Sequence, residues 1–333
     1  MINFRRVLAL VATLVVGALV VTATPLSSSA RTGDESSIDA RCVGHRPIPA
    51  AAMTRGAAAP ACSLVGRVVT DGRVAVRVPP PGMSVAGEGV GRHGESRSLQ
   101  VTNTGTTVRA VSNAGATSTT QRGTAERRAS LPACKDRTFH LEHHRWATRL
   151  RYRINLAHRP KGFVGKTVIG QIRAANANMR KGRNTCGRPR LKTPLSSYLG
   201  RTAVRPNVRP GKSSVSCGKA NTKNVVGFGN LPGGLLGWTC YWWFANGRMG
   251  AADIMIDTGS NLKTHLPKPC RNKWDFEGVV THEWGHAYGM AHTGAGHANL
   301  TMQHALSPCS KYARTLGLGD WLGMNHMYGH FRR

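Results

Sequence analysis

The sequence predicts an α+β protein. Three observations carry that reading: paired runs in residues 65–111 alternate with the two-residue period of strands, residues 166–180 place apolar side chains at helical spacing, and strand-like runs at 150–155, 225–228 and 235–244 lie on either side of that helix in the chain. The first half is β-rich and the second mixes strands with helices.

Residues 1–30 are expected to lie outside the folded part. Arg5 and Arg6 precede an apolar run of 15 residues at 7–21, followed by small residues and Ser28-Ser29-Ala30. A charged start, a short apolar core and a small-residue end mark a secretory signal peptide, and this run is shorter than the roughly 20 residues that span a bilayer. No later segment is apolar enough to span, so a secreted, extracellular chain without a membrane span is expected. Eight cysteines with no C-x-x-C pair fit an oxidising compartment and give no support to a cysteine zinc site or a thioredoxin-type centre.

Residues 31–133 are rich in Ser, Thr, Gly, Ala and Arg. Within them, runs at 65–70 and 73–78 flank Asp71-Gly72, a strong two-residue hairpin signal, and runs at 99–101 and 108–111 form a second hairpin around Gly105. Residues 112–130 have linker composition, and the basic run from Arg122 to Arg128 is a plausible processing site. From residue 134 onward the helix at 166–180 is amphipathic, and Asp275 is a good N-cap for a second helix over 276–288. Cys134, Cys186, Cys217, Cys240, Cys270 and Cys309 allow 15 pairings that sequence alone does not choose among; the pairs preferred are Cys217 with Cys240 and Cys270 with Cys309.

The formal net charge is +31, and residues 143–252 hold 21 Lys and Arg but no Asp or Glu. Such a surface attracts polyanions, for example anionic cell-wall polymers, although plain solubilising charge is the preferred account.

The most informative stretch is His282-Glu283-Trp284-Gly285-His286-Ala287-Tyr288-Gly289-Met290-Ala291-His292. Four residues apart on a helix, His282 and His286 share one face and can chelate one ion. Glu283 then sits beside the metal, and Gly289 lets the chain bend so that His292 becomes the third ligand. Three protein ligands with one open position is the catalytic zinc pattern, whereas structural zinc sites are closed with four. A surface helix that merely carries histidines is the bland alternative.

These residues match the H-E-x-x-H-x-x-G-x-x-H signature of the metzincin zinc peptidases, and the chain resembles the matrixin-like members over about residues 135–330. Met302 is placed as the methionine of the family's Met-turn, residues 314–323 resemble its closing helix, and residues 252–257 look like the strand that precedes the active-site helix. The resemblance implies a catalytic domain at 134–333 containing a twisted mixed sheet with an edge strand above the cleft, an active-site helix, a Met-turn and a C-terminal helix. Residues 235–238 fall where that edge strand would receive substrate backbone as an added strand. It further implies a secreted zinc endopeptidase made as a precursor and acting as a monomer on protein or peptide substrates. His282, His286 and His292 would bind one catalytic zinc ion and Glu283 would be the general base. Residues 31–133 would be a small β-rich pro-region, or else an accessory β module, with a linker. Arg41-Cys42-Val43-Gly44 only loosely echoes the family's latency cysteine motif, and His304 stands where some members carry a tyrosine near the metal. The dearth of carboxylates argues against the structural calcium ions of matrixins. The alternative is a basic protein that binds polyanions or cell wall on a metzincin scaffold, with minor or no hydrolysis.

Overall fold

The computed structural model describes residues 46–58, 64–94, 97–114 and 130–330. The expected signal peptide, Cys42, Cys62, the Arg41–Gly44 motif and the Arg122–Arg128 run lie outside the described residues, as does most of the linker.

Both hairpins form. β1 (Val68–Thr70) and β2 (Val74–Arg77) pair antiparallel about Asp71-Gly72. One carboxylate oxygen of Asp71 accepts the backbone N–H groups of Arg73 and Val74, which closes the turn. β3 (Met83–Gly89) leads into the second hairpin, β4 (Arg97–Asn103) and β5 (Thr107–Ala114), which turns about Gly105.

The second half supplies β6 (Leu150–Ile154), helix α1 (Gly165–Arg180), β7 (Ser196–Arg201), β8 (Val208–Pro210), β9 (Val215–Cys217), β10 (Val225–Gly229), β11 (Gly237–Phe244), β12 (Met249–Asp257), helix α2 (Phe276–Ala287) and helix α3 (Leu318–Tyr328). The architecture is therefore mixed α+β, and three α-helices lie among the described residues. None of them is long and apolar enough to cross a membrane.

The main sheet has nine strands in the order β7-β6-β10-β12-β11-β3-β4-β5, followed by the short strand Ala57–Ala58. The first four run parallel; β11 is antiparallel to β12 and starts the antiparallel half. This corrects one expectation. β11 is not an edge strand, because β3 pairs along its other side, with Glu88 opposite Thr239 and Met83 opposite Phe244. The reason lies in β3 itself, a mostly buried strand whose neighbours Ala86 and Val85 enter the cores on the two faces of the sheet. Nor do residues 46–114 form a sheet of their own: the five-stranded second sheet joins Ile48–Pro49, β1 and β2 to β9 and β8 from the other half of the chain.

The alternation of β11 explains the layering. Trp238, Cys240 and Trp242 face the smaller sheet, in a core shared with Val76, Val101 and Val215. Tyr241 and Trp243 face the helices, with Val279, Val280 and Ile172. The three tryptophans of the run are thus packing residues, at 0, 1 and 7 % exposure. The Cys217–Cys240 disulfide ties β9 of one sheet to β11 of the other, and Cys270–Cys309 ties the approach to α2 to the chain beyond Met302. The third described pair is Cys134–Cys186.

Candidate metal centre

Helix α2 is buried along its whole length, its polar residues His282, Glu283 and His286 included, so it lies in the middle of the core rather than on its surface. Asp275 caps it: Oδ2 accepts the N–H of Gly278 at 2.8 Å, and the same carboxylate receives the Arg314 guanidinium. Arg314 also reaches Glu277 at 2.9 Å. This cap fixes the start of the helix and so the heights at which His282, Glu283 and His286 emerge.

Gly289 ends the helix with φ of +96°, a left-handed conformation that favours glycine, and a side chain there would collide with the His144 carbonyl. The chain then makes a short strand, Met290–Ala291, against His140–Leu141, which delivers His292 to the other two histidines. Nε2 of His282 lies 3.0 Å from Nε2 of His286 and 3.0 Å from Nε2 of His292. Tetrahedral coordination at about 2.0–2.1 Å calls for nitrogens about 3.3 Å apart, close to what is observed.

The Nδ1 atoms decide how these nitrogens are used. Nδ1 of His282 donates to the Thr301 carbonyl (2.6 Å) and that of His286 to the Met290 carbonyl (2.9 Å). Nδ1 of His292 lies 2.8 Å from Oε1 of Glu88, and Nδ1 of His286 is 3.1 Å from Oε2. With protons committed on that side, the Nε2 lone pairs converge on one point, which is the donor set of a cation site rather than of a hydrogen-bond network. Burial holds the imidazoles of His282 and His292 below their ordinary pKa. Burial opposes protonation of His286 too, but the facing Glu88 raises its pKa to about 9, so a cation binding at this nitrogen would have to displace a proton. Burial alone would raise the Glu88 carboxyl; the facing His286 and His292 instead hold it well below its usual range. The three histidines form a group able to hold a metal ion.

Glu283 lies beside this group and is fully buried. Its Oε2 accepts from Thr239 Oγ1 at 2.6 Å, and Oε1 from the backbone N–H of Val90 at 3.3 Å. Burial raises its carboxyl to about 7, against the lowering effect of His286 and of its hydrogen bonds. Gly237 makes room for it: a Cβ there would sit 2.5 Å from Oε1.

Met302 packs against α2, its sulfur against the α-carbon side of Gly285. The turn that carries it is held by Asp320 of α3, which accepts N–H groups from Thr301 (2.7 Å), Met302 (3.0 Å) and Gly317 (2.8 Å). His304 is near but is not brought into the ligand group; its ring faces Gly94 and its carbonyl accepts from Gly91. Of the remaining histidines, His144 stacks on Trp243, His297 pairs with Asp136, and Nδ1 of His140 lies 3.0 Å from the His292 carbonyl.

All four residues expected at the site are therefore brought together. Glu88, Thr239, Val90 and Asp320 were not anticipated. A signal existed for two of them: Glu88 is a lone acid between glycines in an apolar run, and Asp320 is the only acidic residue after Glu283. No protein-family model matches the chain, and no curated protein matches it either.

Proposed function

We propose that this chain is a secreted zinc-dependent endopeptidase of metzincin type. The carrying observation is the convergence of three Nε2 donors beside a buried carboxylate whose two oxygens are differently engaged. His282, His286 and His292 would hold the ion. Bound zinc supplies Lewis acidity, lowering the pKa of a coordinated water toward about 7 and polarising a substrate carbonyl.

The chain's own residues do the rest. Thr239 anchors Oε2 of Glu283, which leaves Oε1 facing a backbone N–H. That oxygen is the atom that takes a proton from water and returns it to the departing amine nitrogen, and a carboxyl raised to about 7 suits both halves of the exchange. Met302 and the carbonyl of Thr301 orient the imidazoles. The order of the strands β7-β6-β10-β12-β11, the left-handed Gly289 and the turn at Met302 support the metzincin assignment, and the three disulfides support an oxidising destination.

The test is Glu283→Ala. The variant is expected to bind one zinc per chain, as wild type does, and to lose cleavage of an unfolded protein substrate by at least 100-fold. Undiminished cleavage would sink the mechanism. Zinc retained equally by His292→Ala would overturn the ligand set.

A further inference from the structure

Residues 90–92, which follow β3, do not loop out into solvent. After Gly89 the chain passes across Glu283, where the N–H of Val90 meets the carboxylate, and the carbonyl of Val90 accepts from Leu236 at 2.8 Å. Gly91 is bridged on both sides, antiparallel to Leu235 and parallel to Ala305. Its N–H donates to the carbonyl of His304 (3.4 Å), and its carbonyl accepts from Leu306 (3.3 Å). The Arg92 backbone N–H then donates to the Gly234 carbonyl (3.1 Å), and its guanidinium lies over the Trp274 ring.

This is an extended peptide in a groove. One wall is the stretch 234–237 leading into β11, the other is 304–306, and the floor is Glu283 with the imidazoles. Backbone bonds to both walls, a buried side chain at Val90 (0 % exposed) and a backbone nitrogen at the proton-carrying oxygen are what a peptide substrate of this centre requires. The loop is tethered at both ends by paired strands, so its effective concentration in the groove is high without any affinity beyond these contacts.

We propose that residues 89–92 are the resident occupant of the peptide groove, held in the pose of a substrate, so that the chain is self-blocked until this loop is displaced. The proposal rests on the endopeptidase reading for what the groove does, and on the coordinates alone for what fills it. It also names the kind of peptide the groove takes: an extended segment with a glycine, then a small β-branched residue in the closed pocket, then glycine and a basic residue.

Two full-length, zinc-loaded variants test it. Val90→Asp places a carboxylate in the apolar cluster that the Val90 side chain occupies, and Gly91→Pro deletes the N–H given to His304. Amide hydrogen exchange at Leu236 and Leu306, whose N–H groups donate to the loop, should speed by at least tenfold in both variants, while exchange within β6 and α1 stays slow. Cleavage of an unfolded protein should rise by at least tenfold, and a synthetic peptide of residues 86–94 added to the variants should bring it down again. Folded variants in which Leu236 and Leu306 remain as protected as in wild type, and which cleave no faster, would overturn the proposal. If Val90→Asp fails to fold, Gly91→Pro decides by the same readouts. Faster exchange with no cleavage by any zinc-loaded form would leave the occupant established and refute the endopeptidase reading instead.

Discussion

The carboxylate of Glu88 lies 2.8 Å from Nδ1 of His292 and spans to Nδ1 of His286, which couples a strand in the first half of the chain to the side of two imidazoles that faces away from their converging Nε2 atoms. Such a partner fixes ring orientation and raises the basicity of the ligating nitrogen. Glu88→Ala should therefore weaken zinc binding by about 10–100-fold, measured by competition with a chromophoric chelator, and Glu88→Gln by less. His286 keeps the Met290 carbonyl as a second partner for its Nδ1 when Glu88 is removed. Affinity within twofold of wild type would show that Glu88 does not position these rings.

Asp320 is the second remote support. It is fully buried and accepts three backbone N–H groups from the turn of Met302 and the start of α3. Asp320→Ala leaves those donors without partners, at about 1–3 kcal/mol for each buried group, so a loss of at least about 3 kcal/mol is expected in urea unfolding. Because Thr301 also orients His282, zinc affinity should fall with stability. A variant that loses less than about 1 kcal/mol would mean that water reaches the turn and satisfies it.

Gly285 and Met302 should behave as a coupled pair. A Cβ on Gly285 would press on the Met302 sulfur and reach Met179 as well. Gly285→Ala is expected to cost about 1–3 kcal/mol by overpacking. In the Met302→Ala background the same change should cost less, and the double-mutant cycle should give a coupling of at least about 0.5 kcal/mol. Strict additivity would place the strain elsewhere.

His144 sets a pH dependence. Buried against Trp243 and Tyr241, with Nδ1 bonded to the Glu142 carbonyl, it is held neutral in the fold, its pKa lowered by burial to about 3. The unfolded chain takes up that proton near 6.5. The stabilising contribution is thus present in full above pH 6.5 and is lost as pH falls from there toward 3, by up to about 1.4 kcal/mol per unit. The difference in unfolding free energy between wild type and His144→Gln, at equal zinc, should shrink steadily between pH 6.5 and 4.5. A difference that is flat over that range would contradict a buried neutral imidazole.

Much of this was legible in the residues. The period of 166–180, the Asp-Gly turn at 71–72, the cap at Asp275 and the helical spacing of His282 and His286 are local signals, and each reappears as the expected element. Two of three described disulfides were also anticipated, Cys217–Cys240 as the closure of a Gly-rich strand connection and Cys270–Cys309 as a staple between the entry of α2 and the chain beyond Met302. What could not be read was whatever joins distant stretches. β11 carries the apolar character of a strand whether its outer neighbour is water, a bound peptide or β3, so its position inside the sheet was invisible. Glu88 and Thr239 become functional neighbours only through the β3–β11 register, which pairs them directly. The alternation that marks a strand says nothing of its partner.

The position of β3 has a consequence for how the molecule comes together. Val90 and Glu283 stand 193 positions apart, so their meeting is among the least local events in the chain, and non-local pairings form slowly and late. β4 can pair with β3 at once, but β11 must exist before the other side of β3 has anything to dock on, and α2 before Val90 meets Glu283. When β3 docks, the same strand delivers Glu88 to the imidazoles and draws the following loop over Glu283. Completion of the centre and its closure are thus one step of assembly, and the order of synthesis, from N-terminus to C-terminus, makes the cover before the thing it covers.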